Sequence, residues 1–212
     1  PRAGAEGRPR AVIAVRPLWT GRARRCRLSW HAQTREQPMP VFDELVDRIR
    51  AAADGPDARG AMRAVLADAL ARADALRAQT PMEGPDEETL HEDDAVSIWR
   101  SRFRPDVIMP AHEHRVPVLI ACYAGAGTSF VYTRTDTGLE PTGTVTARAG
   151  EIIELPGDAI HKVTAEGDRP SEAVHVYFGP LTRLDRALFD PATGATLDFT
   201  MENFEALKTA AR

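Results

Sequence analysis

Apolar residues recur at helical spacing near the start of the patterned part of the chain. The first such face carries Phe42, Leu45, Val46 and Ile49. The same spacing returns at Met62 and predicts a second, longer helix over residues 58–78. We interpret this helical pair as packing against the outside of a sheet, and a lid or dimerisation element is the alternative.

From residue 95 the apolar period shortens from 3.6 towards 2, which is typical of β-strands. The predicted strands cover residues 95–103, 107–114, 118–123, 129–134, 144–147, 151–155, 159–165 and 172–178. Turn residues separate most of them, and short strands at this spacing favour an antiparallel sandwich or barrel. A closing helix is predicted over residues 201–210, with Phe204 and Leu207 facing inward. We therefore expect a mainly β fold with an N-terminal helical pair and a short C-terminal helix.

The charge of the chain divides it into unequal parts. Its 212 residues carry a net charge of −4, but residues 1–38 carry +7 and the remainder −11. Such a break marks a domain boundary. Residues 1–38 are predicted to be a basic extension that is disordered or not native, because Met39 directly precedes the first helix. A nucleic-acid or lipid-binding arm and a targeting peptide are the alternatives. Residues 39–89 would form the helical lead-in.

Composition narrows the setting of the protein. No stretch reaches the ~18 consecutive apolar residues of a membrane helix. Two cysteines, Cys26 and Cys122, cannot build a disulfide framework. We expect a cytoplasmic protein that binds neither membrane nor nucleic acid, and a homo-oligomer is left open.

The histidines carry the chemistry that the sequence suggests. In a strand, His112 and His114 would point to the same face while Glu113 points away, so both imidazoles could bind one metal ion. Histidines at the surface are the alternative for this pair. A third histidine, His161, opens a later strand after a Pro-Gly turn. A site with three imidazoles leaves further positions of a metal open to other ligands.

Residues 90–212 resemble a cupin domain, which implies a double-stranded β-helix, or jelly-roll barrel. His112 and His114 match the His-x-His of the first cupin motif. Gly150, Pro156 and His161 match the second motif at its spacing. The Glu of the first motif is absent after His114. A cupin with three histidine ligands resembles the thiol dioxygenases, such as cysteine dioxygenase.

A later segment strengthens this second resemblance. His175 and Tyr177 match the Ser-x-His-x-Tyr relay that lies beside the iron in thiol dioxygenases, with Ala173 in place of the Ser. The resemblance implies a non-haem iron oxidoreductase that adds O2 to the sulfur of a small thiol, cysteine or a mercapto acid, and gives a sulfinate. Tyr177 would bind oxygen or the substrate headgroup, and His175 would orient Tyr177.

The resemblance also implies which residues hold the metal and the substrate. His112, His114 and His161 would hold Fe(II), although imidazole also suits copper, nickel and zinc. The family binds the substrate carboxylate with an Arg, whose position here is near His91. Arg100 and Arg102 share one face of the first long strand and are candidates for that role, with outward, solvated side chains as the alternative.

Other functions fit the same residues, because a fold and a ligand set do not fix a reaction. One is a three-His cupin enzyme of another type, such as a decarboxylase, lyase or isomerase. Another is a non-catalytic cupin that binds a small molecule.

Overall fold

The computed structural model describes residues 40–81, 83–136, 138–190 and 193–211. The predicted basic extension lies outside these residues. No helix in the described ranges is both long enough and apolar enough to span a membrane.

Three helices, rather than the predicted pair, precede the sheets. They are α1 (Val41–Ala53), α2 (Ala58–Leu70) and α3 (Ala73–Gln79). The predicted helix over residues 58–78 is thus divided in two. At the break, the Arg72 guanidinium donates to both carboxylate oxygens of Glu44 on α1, each at 2.8 Å. These bonds tie the end of α2 to α1.

The strands follow the helices along the chain. They are β1 (Glu87–Glu92), β2 (Ser97–Phe103), β3 (Val107–Ile108), β4 (Ala111–Glu113), β5 (Val118–Ala124), β6 (Ala126–Thr135), β7 (Gly138–Arg148), β8 (Ile152–Leu155), β9 (Ile160–Ala165), β10 (Ser171–Tyr177), β11 (Ala187–Phe189), β12 (Thr196–Asp198) and β13 (Thr209–Ala210). A 3₁₀ turn (Leu181–Arg183) precedes β11, and α4 (Met201–Ala206) precedes β13.

Two antiparallel sheets form the body of the fold. The first sheet has the order β1-β2-β10-β5-β8, and the second has the order β12-β11-β4-β9-β6-β7. Between β4 and β11 the chain crosses repeatedly from one sheet to the other, so sequence neighbours such as β8 and β9 lie in different sheets. This is the double-stranded β-helix of the cupins. The predicted fold class is confirmed.

Strand β5 shows why the first sheet is apolar on both faces. Leu119, Ala121 and Tyr123 pack against the helices, in one buried cluster with residues of α1 and α2. Val118 and Cys122 point to the other face and pack inside the barrel. A strand covered on both faces reads as a continuous apolar run. The helices therefore close the outer face of the first sheet, and its inner face is left to shape the barrel interior.

Several elements differ from the sequence prediction. Strand β1 begins at Glu87, so the sheet starts inside the predicted lead-in (39–89). This strand lies at the edge of its sheet, where charged residues are common and no apolar alternation is required. Strands β11 to β13 are short and carried no clear period. The closing helix ends at Ala206, and its Phe204 is buried as predicted.

We expect the helical layer to contribute strongly to stability through Leu66 on α2, which is fully buried. Leu66→Ala should lower the free energy of unfolding by about 2–5 kcal/mol, because it leaves a cavity between α2 and β5. The control is Leu70→Ala, the same change at a half-buried position of the same helix. Urea unfolding would measure both. Equal losses would contradict the packing described here.

Candidate metal centre

Strand pairing brings two of the predicted ligands together. His112 on β4 lies directly opposite His161 on β9 in the second sheet. Their ring centroids are 4.5 Å apart. His114 is the first residue beyond β4, and its ring centroid lies 4.9 Å from each of the other two. We call these residues the three-His cluster.

The backbone turns sharply just after His114. Arg115 adopts a left-handed conformation with a φ of 65°, which a residue with a side chain seldom adopts. Its Nε donates to the carboxylate of Glu113 at 2.7 Å. The strand therefore stops before His114, and the turn beyond it contributes to the orientation of that side chain.

The Nε2 atoms of the three-His cluster face one another. The distance from His114 Nε2 is 3.1 Å to His112 Nε2 and 3.3 Å to His161 Nε2. Two ligand atoms bound to one metal at about 2.1 Å are separated by about 3.0–3.4 Å in octahedral or tetrahedral geometry. The spacing therefore fits nitrogen ligands that share one ion.

The other ring nitrogens have different partners. His112 Nδ1 lies 2.9 Å from the carbonyl oxygen of Pro110. A carbonyl only accepts, so Nδ1 carries the hydrogen and Nε2 of the neutral ring keeps its lone pair. His161 Nδ1 lies 3.1 Å from Ser129 Oγ, which can fix its ring in the same way. His114 Nδ1 has no partner among the described residues.

Burial keeps these rings neutral. It lowers the pKa of His112 to about 4. The pKa values of His114 and His161 fall well below the usual range, first through burial and then through the neighbouring imidazoles. Neutral imidazole is the form that binds metals. The three-His cluster is thus ready to act as a ligand set at neutral pH.

The cluster opens onto a cavity of about 240 Å³ inside the barrel. Besides the histidines of the cluster, the cavity is lined by Glu87, Trp99, Phe103, Met109, Val163, His175, Tyr177, Leu181, Thr182, Arg186, Phe199, Met201 and Phe204. Most of this lining is apolar or aromatic, as in typical small-molecule sites. We call this space the barrel cavity.

Tyr177 and His175 lie together beside the cluster. The Tyr177 ring meets the His114 ring edge to face, with centroids 5.0 Å apart. The Tyr177 hydroxyl lies 3.1 Å from His175 Nδ1, whereas His175 Nε2 has no partner in the described part of the chain. Burial lowers the pKa of His175 to about 3 and raises the pKa of Tyr177 well above its usual range. At neutral pH the pair is therefore a phenol and a neutral imidazole.

The predicted substrate residues Arg100 and Arg102 do not line the barrel cavity, which corrects the prediction from the sequence. Strand β2 directs Trp99 and Phe103 into the barrel cavity. Side chains alternate along a strand, so the two arginines between them face the other side of the sheet. The Arg100 guanidinium bonds Glu88 at 2.5 Å, and that of Arg102 bonds Glu172 at 3.2 Å. These arginines take part in ion pairs on the helix-facing side.

The prediction that His91 lies near the substrate is corrected as well. It lies on β1, and its Nε2 forms a hydrogen bond with Asp93 Oδ2 at 2.8 Å. His91 does not line the barrel cavity. The resemblance placed it near a substrate residue, but the strand turns its side chain towards the loop that follows β1.

Two charged residues of the barrel cavity were missed by the sequence analysis. Arg186 comes from the loop before β11, and its Cζ lies 3.9 Å from the centroid of the Phe199 ring. Glu87 comes from the start of β1, and burial raises the pKa of its carboxyl. Both residues lie in segments without a regular pattern or a motif. Nothing in the sequence marked them.

Comparisons with known proteins find similarity only among solved structures. No family model matches the chain, and neither does any curated protein. Among solved structures, DMSP lyase DddQ from Ruegeria pomeroyi DSS-3 is 17% identical, with a TM-score of 0.47, over 72% of this chain and 98% of that chain. An uncharacterised conserved protein with a double-stranded β-helix domain from Klebsiella pneumoniae is 14% identical over 53% and 87%, with a TM-score of 0.42.

Hydroquinone 1,2-dioxygenase from Sphingomonas sp. TTNP3 is 12% identical over 47% of this chain and 70% of that chain, with a TM-score of 0.38. Two of these three neighbours are enzymes by name, with different reactions. At such identities none of these activities is transferred to this chain. Fold and site together define a cupin-fold protein with a buried group of three histidines that could hold a metal ion.

We expect one divalent metal ion per chain. His161→Ala should abolish tight binding, because two imidazoles remain and one face of the site is opened. His91→Ala is the matched control and should bind metal like the parent protein, since His91 lies outside the barrel cavity. Elemental analysis and calorimetric titration would measure both. Retention of the ion by His161→Ala would contradict this assignment.

Acidification should destabilise the metal-free protein from about pH 6.5 downward. Unfolded histidines take up protons near pH 6.5, whereas His112 in the folded protein does so only near pH 4. The unfolded state therefore binds more protons in this window, and the free energy of unfolding falls as the pH falls. Each buried histidine contributes up to about 1.4 kcal/mol per pH unit. Glu87, whose pKa is raised, acts in the opposite direction.

Urea unfolding between pH 7.5 and 5.5 measures this effect above the range in which ordinary carboxyl groups titrate. His175→Phe removes one of the buried imidazoles and should show a shallower slope. A free energy of unfolding that is constant or rises on acidification would show that these rings are not held neutral.

Proposed function

We propose that this protein is an Fe(II)-dependent dioxygenase that adds O2 to the sulfur of a small thiol, cysteine or a mercapto acid, and releases a sulfinate. The observation that carries the proposal is the three-His cluster, whose Nε2 atoms meet at 3.1 and 3.3 Å beside the Tyr177–His175 pair. Among the residues that the structure describes, the group within reach of one another as ligands includes no carboxylate.

The charge of this ligand set favours a thiolate. Three neutral imidazoles leave the charge of a divalent ion uncompensated, so the site attracts an anionic ligand. When bound, a ferrous ion lowers the pKa of a thiol and activates dioxygen. The overall reaction joins one thiol and one O2 to give one sulfinic acid. Both oxygen atoms bond to sulfur, and no external reductant is consumed.

Tyr177 is suited to hold oxygen atoms in place. With the pKa of His175 near 3, the neutral ring has one hydrogen, and the tautomer with this hydrogen on Nδ1 donates it to the Tyr177 oxygen. The phenol hydrogen is then directed to the barrel cavity, where it can donate to an oxygen of the substrate or product. His175 acts through Tyr177 and is a positioning residue.

Arg186 supports the thiol acids within this class. Its guanidinium lines the barrel cavity and packs over Phe199, which fixes its plane. A guanidinium binds a carboxylate through two parallel hydrogen bonds. Arg186 would thus bind the substrate carboxylate, the role that the sequence analysis gave to Arg100 and Arg102.

The barrel cavity suits a small substrate and limits access of water. Its volume of about 240 Å³ corresponds to roughly eight water molecules at about 30 Å³ each. The ring centroids of Phe199 and Phe204 lie 6.1 and 6.3 Å from the centroid of the His112 ring, and these rings cover His112 with apolar surface. A dry wall around the ligand set strengthens the electrostatic interactions inside.

The iron-loaded protein should consume O2 when it is given small thiols, with one sulfinate formed per O2. Tyr177→Phe should lower kcat by about a hundredfold, because it removes the hydroxyl that contacts the reacting oxygen atoms. Tyr132→Phe, on the outer side of the second sheet, is the control and should leave kcat unchanged. An oxygen electrode and mass spectrometry of the product would measure these effects.

Tight binding of zinc or copper without oxygen uptake on any thiol would contradict the proposal. Conversion of a substrate without oxygen uptake would identify a lyase, decarboxylase or isomerase on the same ligands. A protein that binds small molecules but converts none would be a binding module.

A further inference from the structure

Two opposite charges line the barrel cavity without pairing with each other. Glu87 at the start of β1 and Arg186 before β11 both belong to its wall. Across the described residues, no carboxylate lies within 4.0 Å of the Arg186 guanidinium, and no basic group lies within that distance of the Glu87 carboxylate. No hydrogen bond of either side chain joins it to another described group.

A ligand can complete this arrangement, because both side chains are only partly exposed to water. Charged groups removed from water are normally paired. This chain follows that rule on the other side of the same sheet, where Arg100 bonds Glu88 and Arg102 bonds Glu172. In the barrel cavity, by contrast, neither side chain forms an ion pair or a hydrogen bond with another described residue, although the two charges attract each other at longer range.

The packing fixes the position of both charges, which attract each other from beyond ion-pair distance. Arg186 stacks on Phe199 with its Cζ 3.9 Å from the ring centroid, and this contact fixes its position. Glu87 is held by the pairing of β1 with β2, opposite Ser101. The nearby cation Lys208 forms an ion pair with Glu205 at 2.6 Å, and it attracts the Glu87 carboxylate only from beyond 4.0 Å.

We propose that Glu87 is a specificity-determining residue that binds a cationic amine of the substrate, while Arg186 binds its carboxylate. The two charges would select a zwitterionic headgroup, and the cavity volume of about 240 Å³ limits the rest of the molecule to a short side chain. Resting on the proposed function, this assigns the substrate to amino acids that carry a thiol, rather than to mercapto acids without an amine. Headgroup binding itself does not depend on the thiol chemistry.

The test uses ligands without sulfur. NMR titration of the full-length chain loaded with zinc would give dissociation constants for L-serine and for 3-hydroxypropionate, which lacks the amine. We expect the parent protein to bind L-serine more tightly. Glu87→Gln should weaken L-serine binding about tenfold, the effect of losing a charge-assisted hydrogen bond, and should leave 3-hydroxypropionate unaffected.

Glu202→Gln is the matched control. It removes the same charge from α4 near the cavity, at an exposed side chain that does not line it, and should change neither constant. Equal affinities of the parent for both ligands would overturn the proposal. An equal loss for both ligands in Glu87→Gln would also overturn it, since the residue would then be structural. Because neither ligand has sulfur, a failed thiol oxidation leaves this result unaffected.

Discussion

Three imidazole nitrogens that face one another inside a buried cavity are the constraint on which the whole site depends. Unprotonated ring nitrogens present lone pairs, and lone pairs about 3 Å apart repel unless a hydrogen or a cation lies between them. Burial disfavours a proton there, because it lowers the pKa values of these rings. The pairing of His112 with His161 keeps the rings from separating. A divalent metal ion resolves this conflict most simply.

The fold provides this constraint by covering the first sheet on both sides. The helices bury its outer face, and the barrel buries its inner face. Side chains that alternate along one strand therefore enter two different environments. On β2, Trp99 faces the cavity whereas Arg100 pairs with Glu88 on the helix side. On β10, His175 and Tyr177 share the inner face, which places both beside the ligands.

How much of the site could be predicted depended on how local its signals are. The strand period and the spacing of His112, His114 and His161 are local patterns, and they predicted both the barrel and the three-His cluster. The faces of β2 were not predictable, because every residue of that strand except Trp99 is buried. The sequence gives no apolar alternation to tell inside from outside in such a strand.

Arg186 and Glu87 were missed for a related reason. An edge strand and a loop carry no period, and the two residues meet only because distant segments of chain reach the same cavity. Their role depends on their surroundings. Arg186 packs on an aromatic ring, and neither residue forms an ion pair or a hydrogen bond with another described residue. Only the three-dimensional arrangement shows that the two charges share a cavity and form no ion pair with described residues.

X-ray absorption spectroscopy of the iron-loaded protein tests the central claim most directly. If the three-His cluster holds the metal, the spectrum will show three imidazole nitrogens at about 2.1 Å, with the remaining positions filled by light atoms from solvent. Fewer than three imidazoles around the iron would contradict the site described here.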